Sequence, residues 1–131
     1  MPKIFTSQKQ KIGEIGENIA CKFLMKHNFT ILDRNYTKKW GELDIVAEKN
    51  KKLYFVEVKS ISSVPHETKT NYRPEENMHP WKMKRMSRII QTYLISKKIN
   101  EDIEWQIDLL IVYLDLNNKK ARIKVVNDII L

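Results

Sequence analysis

Hydrophobic and polar positions along the chain alternate between two periods. From Ser7 to His27 the apolar residues Ile12, Ile15, Ile19, Ala20, Phe23 and Leu24 recur at three- and four-residue steps. That spacing marks one face of a helix, with Ser7 as its N-cap. The next stretch, FTILDRNYT, is rich in β-branched and aromatic residues and predicts a strand. GELDIVA and LYFVEVK flank the polar EKNKK and predict a hairpin. The segment from Ser60 to His79 holds Pro65 and Pro74 and has little periodicity, so it predicts a loop of the length that often carries function. Helical spacing returns from Pro80 to Lys98 through Met86, Ile89, Ile90, Tyr93 and Leu94, and a proline suits the first turn. WQIDLLIVYL and ARIKVVNDII predict two last strands about the turn DLNNKK. The order αβββαββ predicts an α/β fold with a central mixed β-sheet and a helix on each side. The apolar run LLIVYL requires a strand covered on both faces.

The hairpin breaks its own pattern. Side chains alternate faces along a strand. Leu53, Phe55, Glu57 and Lys59 therefore share one face, and Tyr54, Val56 and Val58 the other. On the preceding strand Glu42, Asp44 and Val46 share a face, and Leu43, Ile45 and Ala47 lie opposite. A two-residue turn at Asn50-Lys51 would set Asp44 across from Glu57 and Glu42 across from Lys59. Opposed carboxylates repel, so a sheet gains no stability from such a pair. A divalent cation reverses the sign, because Mg²⁺ commonly takes one or two carboxylates together with water and substrate phosphate. Lysine beside that site could orient a water or offset negative charge on a phosphorane. A solvated strand edge with a Glu42–Lys59 ion pair, worth about 0–1 kcal/mol, accounts for the same charges without a metal.

Charge adds a partner. The 131 residues carry 24 Lys and Arg against 16 Asp and Glu, a formal +8, which attracts polyanions, nucleic acid first among them. Length predicts one domain over residues 1–131. One cysteine, Cys21, excludes an internal disulfide framework and a cysteine-based zinc site. The opening MPKIFTSQKQK has no apolar core and no run is long enough to span a bilayer, which predicts a cytoplasmic protein without a membrane partner. Three glycines leave no phosphate-binding loop and argue against ATP-dependent chemistry. Lys82, Lys84, Arg85 and Arg88 crowd the start of the second helix, where cations oppose the helix dipole, and phosphate contact is one reason for them. A solvated basic face is the other reading for Lys84 and Arg85. Tyr72 and Trp81 could stack on bases, although core packing suits Trp81 better. His66 and His79 make a poor zinc pair, and His27 suits a helix cap. Asp108, inside an apolar strand, needs either a buried cation such as Lys82 or Arg34 or a place in the site.

Several of these residues carry a resemblance. Asp44 followed by Glu57-x-Lys59 on the next strand resembles the PD-(D/E)xK nuclease superfamily, the restriction-endonuclease-like fold. GEIGENIACKFL, RNY, GELDIVA and FVEVK in that order, then Lys82, Tyr93-Leu94 and Asp108, resemble the YraN-like family of endonuclease-like proteins, relatives in fold of archaeal Holliday-junction resolvases. The resemblance covers about Gly13 to Tyr113.

It implies a Mg²⁺-dependent (or Mn²⁺-dependent) DNA endonuclease acting on branched or damaged DNA and leaving a 5′-phosphate and a 3′-hydroxyl. Asp44 and Glu57 would be metal ligands with the Val58 carbonyl, Lys59 the catalytic lysine, and Glu17 a helix carboxylate reaching the metal directly or through water. Lys82, Lys84, Arg85 and Arg88 would meet nucleic acid. Helix geometry agrees with Glu17, which lies at the edge of the apolar arc, and not with Glu14, which points away. Gly16 falls within that arc, where a glycine costs about 1 kcal/mol against alanine and so implies a close approach of backbone. The chain departs from the pattern at Leu43, where the superfamily's name has proline, at Ile61, where a basic residue is usual, and in a following loop without glycine. The alternative from another class is a nucleic-acid-binding module on this fold without catalysis, or a structural subunit of a repair or uptake complex. Under any of these readings the protein could act as a homodimer.

Overall fold

A computed structural model describes residues 7–62 and 80–129; of Pro80 and Trp81 only the backbone is described. The elements are α1 (Gln8–Lys26), β1 (Thr30–Lys38), β2 (Gly41–Lys49), β3 (Lys52–Ser62), α2 (Pro80–Ser96), β4 (Glu104–Asp115) and β5 (Lys120–Val126). This is the αβββαββ order of an α/β protein. The strands form one five-stranded mixed sheet in the order β1-β2-β3-β4-β5, with β3 and β4 parallel and every other pair antiparallel.

Local chemistry fixes the element ends. The Gln10 N–H donates to Ser7 Oγ at 3.1 Å, and the Ser7 N–H donates to Gln10 Oε1 at 2.9 Å, a capping box that starts α1. His27 closes the helix: its N–H reaches the carbonyls of the last turn, and its Nδ1 lies 2.8 Å from the Phe23 oxygen. Strand β3 runs two residues past Ser60 before the loop segment, whose residues 63–79 lie outside those described. Strand β5 stops at Val126, four residues short of the expected segment end.

The two helices cover opposite faces. Ala20, Cys21 and Leu24 of α1 pack on Ile45, Ala47, Val56, Leu110, Val112 and Leu114. Met86, Ile89, Ile90 and Tyr93 of α2 pack on Leu43, Val46, Leu53, Phe55 and Ile107. Strand β4 lies between two neighbours and under both layers, which is why an unbroken apolar run suits it. Ile15, expected on the core face of α1, is 41% exposed, and Cys21 is buried there instead. Gly16 behaves as expected: a Cβ at this position would overlap Ser60 Oγ and come within 2.8 Å of Ser60 Cβ. Asp108 is buried, but it pairs with neither Lys82 nor Arg34. Its Oδ1 accepts from Gln106 Nε2 at 2.7 Å and from the Asp128 N–H at 2.9 Å, tying the segment after β5 to β4.

Candidate functional site

The hairpin has the register read from its turn, but only over half its length. Asn50 and Lys51 both adopt left-handed backbone, φ 52° and 63°, and the ladder runs from Lys49–Lys52 to Ile45–Val56. Asp44 and Glu57 are next in that register, yet no ladder pair joins them, nor Glu42 to Lys59. Instead Asp44 Oδ2 accepts a hydrogen bond from the Val58 N–H at 2.8 Å. A side chain has taken the place of the backbone partner.

The cause lies on both sides of Asp44. Leu43 packs in the α2 layer while Ile45 and Ala47 pack in the α1 layer, so the expected grouping of these three on one face does not hold. On β1 the same roll occurs: Arg34 reaches α1, Tyr36 packs toward α2, and Asn35 between them has φ 53°. Arg34 pairs with Ile45 and Tyr36 with Leu43, so Asn35 and Asp44 share the point where the two strands turn over. Asparagine tolerates the left-handed region better than most residues, which lets β1 follow. The roll directs Asp44 toward β3 instead of squarely onto one face.

Three other carboxylates act on Asp44 through space. Asp44 is pushed up to about 7, first by burial, then by Glu57, with Glu17 and Glu42 adding to it and the Val58 N–H opposing. Burial also raises Glu57, with Glu42 and Glu17 in the same direction and Lys82 against. Lys82 Nζ stands 3.0 Å from Glu57 Oε1. Glu17 is held by Arg34, whose Nη2 lies 3.3 Å from Glu17 Oε1 and donates to Asn18 Oδ1 at 2.8 Å. Glu17 and Glu57 each keep about 15% of their side-chain surface exposed. A cleft of about 190 Å³ opens between the hairpin and α2, with Glu42, Glu57, Lys82 and Arg85 around it and Gly41, Met86 and Ile89 beneath.

Most of the residues singled out from the sequence converge on this place. Glu17, Asp44 and Glu57 act on one another electrostatically, and Lys82 turns inward onto Glu57. Lys59 is exposed, two residues beyond Glu57 on the same strand. Lys84 is exposed on the outer side of α2, and Arg85 lines the cleft. Arg88 does not line the cleft: its guanidinium lies 4.9 Å from the centre of the Trp40 ring, and Trp40 Nε1 donates to Thr92 Oγ1 at 3.1 Å. Glu42 and Lys59 form no ion pair among the described residues. His66, Tyr72, His79 and the Trp81 side chain lie outside those described. Sequence reasoning missed Arg34 as the partner of Glu17; the RNY motif that contains it was the available signal.

The set fits a hard divalent cation by donor chemistry. Asp44 and Glu57, whose proton affinities are raised by burial and by neighbouring carboxylates, gain from a shared cation, and oxygen donors are what Mg²⁺ and Mn²⁺ take. As the side chains stand, no three His, Cys, Asp or Glu among the described residues are grouped to hold a metal. Glu57 faces Lys82 and Glu17 faces Arg34, so the cations now nearest these carboxylates belong to the protein.

Fold and site together define an α/β protein with a carboxylate cluster at the open end of a central hairpin. The chain belongs to the uncharacterised protein family UPF0102, the YraN-like family, whose model matches residues 16–126. A UPF0102 protein of Campylobacter lari is 41% identical over 103 residues, 79% of this chain and 84% of that protein. One from Alkaliphilus oremlandii is 38% identical over 114 residues, 87% of this chain and 92% of its own length. Among solved structures, an fdxN element excision controlling factor protein from Anabaena variabilis aligns over 87% of this chain and 99% of its own, at 14% identity and a TM-score of 0.38. A likeness that loose carries no argument. No helix among the described residues is long and apolar enough to cross a membrane.

Proposed function

We propose that this protein is a Mg²⁺-dependent DNA endonuclease of restriction-endonuclease-like fold. The observation that carries the reading is the break in the β2–β3 ladder, which gathers Asp44 and Glu57 beside Val58 with Lys59 next on the face of Glu57. Asp44 and Glu57 would hold the metal (Mg²⁺ or Mn²⁺), with the Val58 carbonyl, and with Glu17 directly or through water. A bound divalent cation supplies Lewis-acid charge to the scissile phosphate and lowers the pKa of the attacking water. Lys59 orients that water and offsets charge developing on the phosphoryl oxygens. The water oxygen bonds to phosphorus and the bond to the 3′-oxygen breaks. The proton lost by the water is balanced by one gained at the 3′-oxygen, which leaves a 5′-phosphate and a 3′-hydroxyl. Lys82, Lys84, Arg85 and Arg88, the last stacked on Trp40, supply cations for flanking phosphates. Branched or damaged DNA follows from the resolvase likeness.

A second reading has its own observation. The Glu57–Lys82 and Glu17–Arg34 ion pairs neutralise the cluster within the protein, as a non-catalytic nucleic-acid-binding module would require. One experiment separates the two. Pure protein is incubated with single-stranded, duplex, flap and four-way-junction DNA in Mg²⁺, Mn²⁺ or EDTA, beside Asp44→Ala and Lys59→Ala. Metal-dependent cleavage lost in both variants supports the nuclease. Binding without cleavage under every metal supports the module, and cleavage that survives Asp44→Ala excludes this site.

A further inference from the structure

The two protein cations within the cluster are held in different ways. Arg34 reaches α1 from β1, where its Nη2 donates to Asn18 Oδ1 at 2.8 Å and lies 3.3 Å from Glu17 Oε1. The bond to Asn18 does not depend on Glu17, so Arg34 keeps a partner when Glu17 turns away. Lys82 is anchored once. Among the described residues its one ion pair is with Glu57, at 3.0 Å. It stands in the first turn of α2 and lines the same cleft as Glu42, Glu57 and Arg85. Its side chain is 37% exposed, so it can turn from the carboxylate toward the cleft mouth without leaving a cavity in the core.

An ion pair this open is worth about 0–1 kcal/mol, so a stronger partner for Glu57 displaces the ammonium at little cost. A divalent cation is such a partner for a carboxylate. While Lys82 is paired, its charge is cancelled and it displaces no counterion from DNA. Parted from Glu57, it brings a full positive charge to the cleft. We propose that Lys82 is a conditional DNA contact, bound to Glu57 when that carboxylate holds no metal and turned to a backbone phosphate when Mg²⁺ or Mn²⁺ has taken it. The inference rests on the nuclease reading and deepens it: metal and DNA favour one another because each takes one half of the same ion pair. Such coupling is reciprocal by linkage. Arg34, held by Asn18, takes no part in the exchange.

The test is fluorescence anisotropy of a labelled DNA duplex over a range of salt, once in EDTA and once in saturating Ca²⁺ in place of Mg²⁺. Proteins are compared within each condition, so that competition of Ca²⁺ for the DNA cancels. K82M is expected to make the fall of log K with log salt shallower by about 0.9 in Ca²⁺ and to leave it unchanged in EDTA. K82R should match the wild type in both. E57Q, which frees Lys82 without metal, should steepen the fall in EDTA by about 0.9, and E57Q/K82M should cancel that gain. By calorimetry, duplex should tighten Ca²⁺ binding more in wild type than in K82M. An equal loss of slope for K82M in Ca²⁺ and in EDTA makes Lys82 an unconditional contact and overturns the exchange. No loss in either condition, an E57Q gain that persists in E57Q/K82M, or equal tightening by duplex in wild type and K82M also overturns it. Each of these leaves the carboxylate site standing. A wild type that binds DNA but neither Ca²⁺ nor Mn²⁺ overturns the exchange and the nuclease reading together.

Discussion

The two ends of one hairpin follow different rules. From Lys49–Lys52 to Ile45–Val56 the β2–β3 ladder is regular, its side chains alternate between two apolar layers, and Val46 and Phe55 are fully buried. Two residues further on the ladder has ended, and a carboxylate accepts from the neighbouring backbone. Burial at the closed end is supported by packing on both sides. Burial at the open end works against its occupants, raising the proton affinity of both Asp44 and Glu57. A site that a fold tolerates at a loss, within a sheet that is otherwise consistent, is where function is expected.

That contrast is sharpest in a pair of substitutions. Asp44→Ala should lower metal-dependent DNA cleavage about a thousandfold or more, roughly 4 kcal/mol of barrier, while the melting temperature holds or rises. Phe55→Ala, at the closed end, should cost about 3–5 kcal/mol of stability by denaturant titration, because its ring meets Tyr93 and Trp105 edge-on in the core. If Asp44→Ala unfolds the protein as readily as Phe55→Ala, the two ends are alike and the site reading loses its basis.

Acidity offers the next test. The carboxyl of Asp44 is raised from 3.8 to about 7 on folding, so the folded state holds a proton that the unfolded chain releases. The associated stability is complete below pH 3.8 and is lost as the pH rises through about 7. At 1.36 kcal/mol per unit the full effect approaches about 4 kcal/mol. Urea denaturation at pH 5 and pH 8 without metal should show about 2.5 kcal/mol of it, the rest being lost below pH 5. Asp44→Asn should flatten the difference, and Mn²⁺ should restore stability to the wild type at pH 8. A wild type equally stable at both pH values would contradict the raised pKa.

Much of this was legible in the sequence. The turn at Asn50-Lys51 fixed the register, the two apolar helix faces fixed the layers, and Gly16 inside the α1 stripe announced its contact with Ser60. What escaped is tertiary. Alternation placed Leu43 with Ile45 because nothing in GELDIVA marks a roll; it depends on Asn35, a neighbour only across the sheet. Asp108 looked for a cation and found the Asp128 N–H, supplied by a segment twenty residues later. Arg88 was grouped with its basic neighbours by position, and its contact with Trp40, from the β1–β2 turn, was not foreseen.

A smaller effect tests what occupies the open end. Lys82 places a cation 3.0 Å from Glu57 and competes with any metal there. Lys82→Met should therefore tighten Mn²⁺ binding about fivefold by calorimetry, the equivalent of roughly 1 kcal/mol for a partly exposed pair. Weaker binding would mean instead that Lys82 supports the arrangement the metal needs.

The smallest effect is expected at the turn itself. Asn50 and Lys51 hold φ 52° and 63°, the geometry of a two-residue hairpin turn with both central residues left-handed. Asparagine accepts this; lysine has no local hydrogen bond to favour it and meets the Cβ penalty of about 1–2 kcal/mol. Lys51→Gly removes that penalty and adds unfolded-state entropy worth about 0.5–1 kcal/mol in the other direction. The net gain should be about 0.5–1 kcal/mol in stability, read by denaturant titration, with cleavage and DNA affinity unchanged. Coupling between the ends would appear as a change in activity. Its absence is expected because the regular ladder between them is rigid, and because the roll at Asp44 is fixed by β1 and not by the turn.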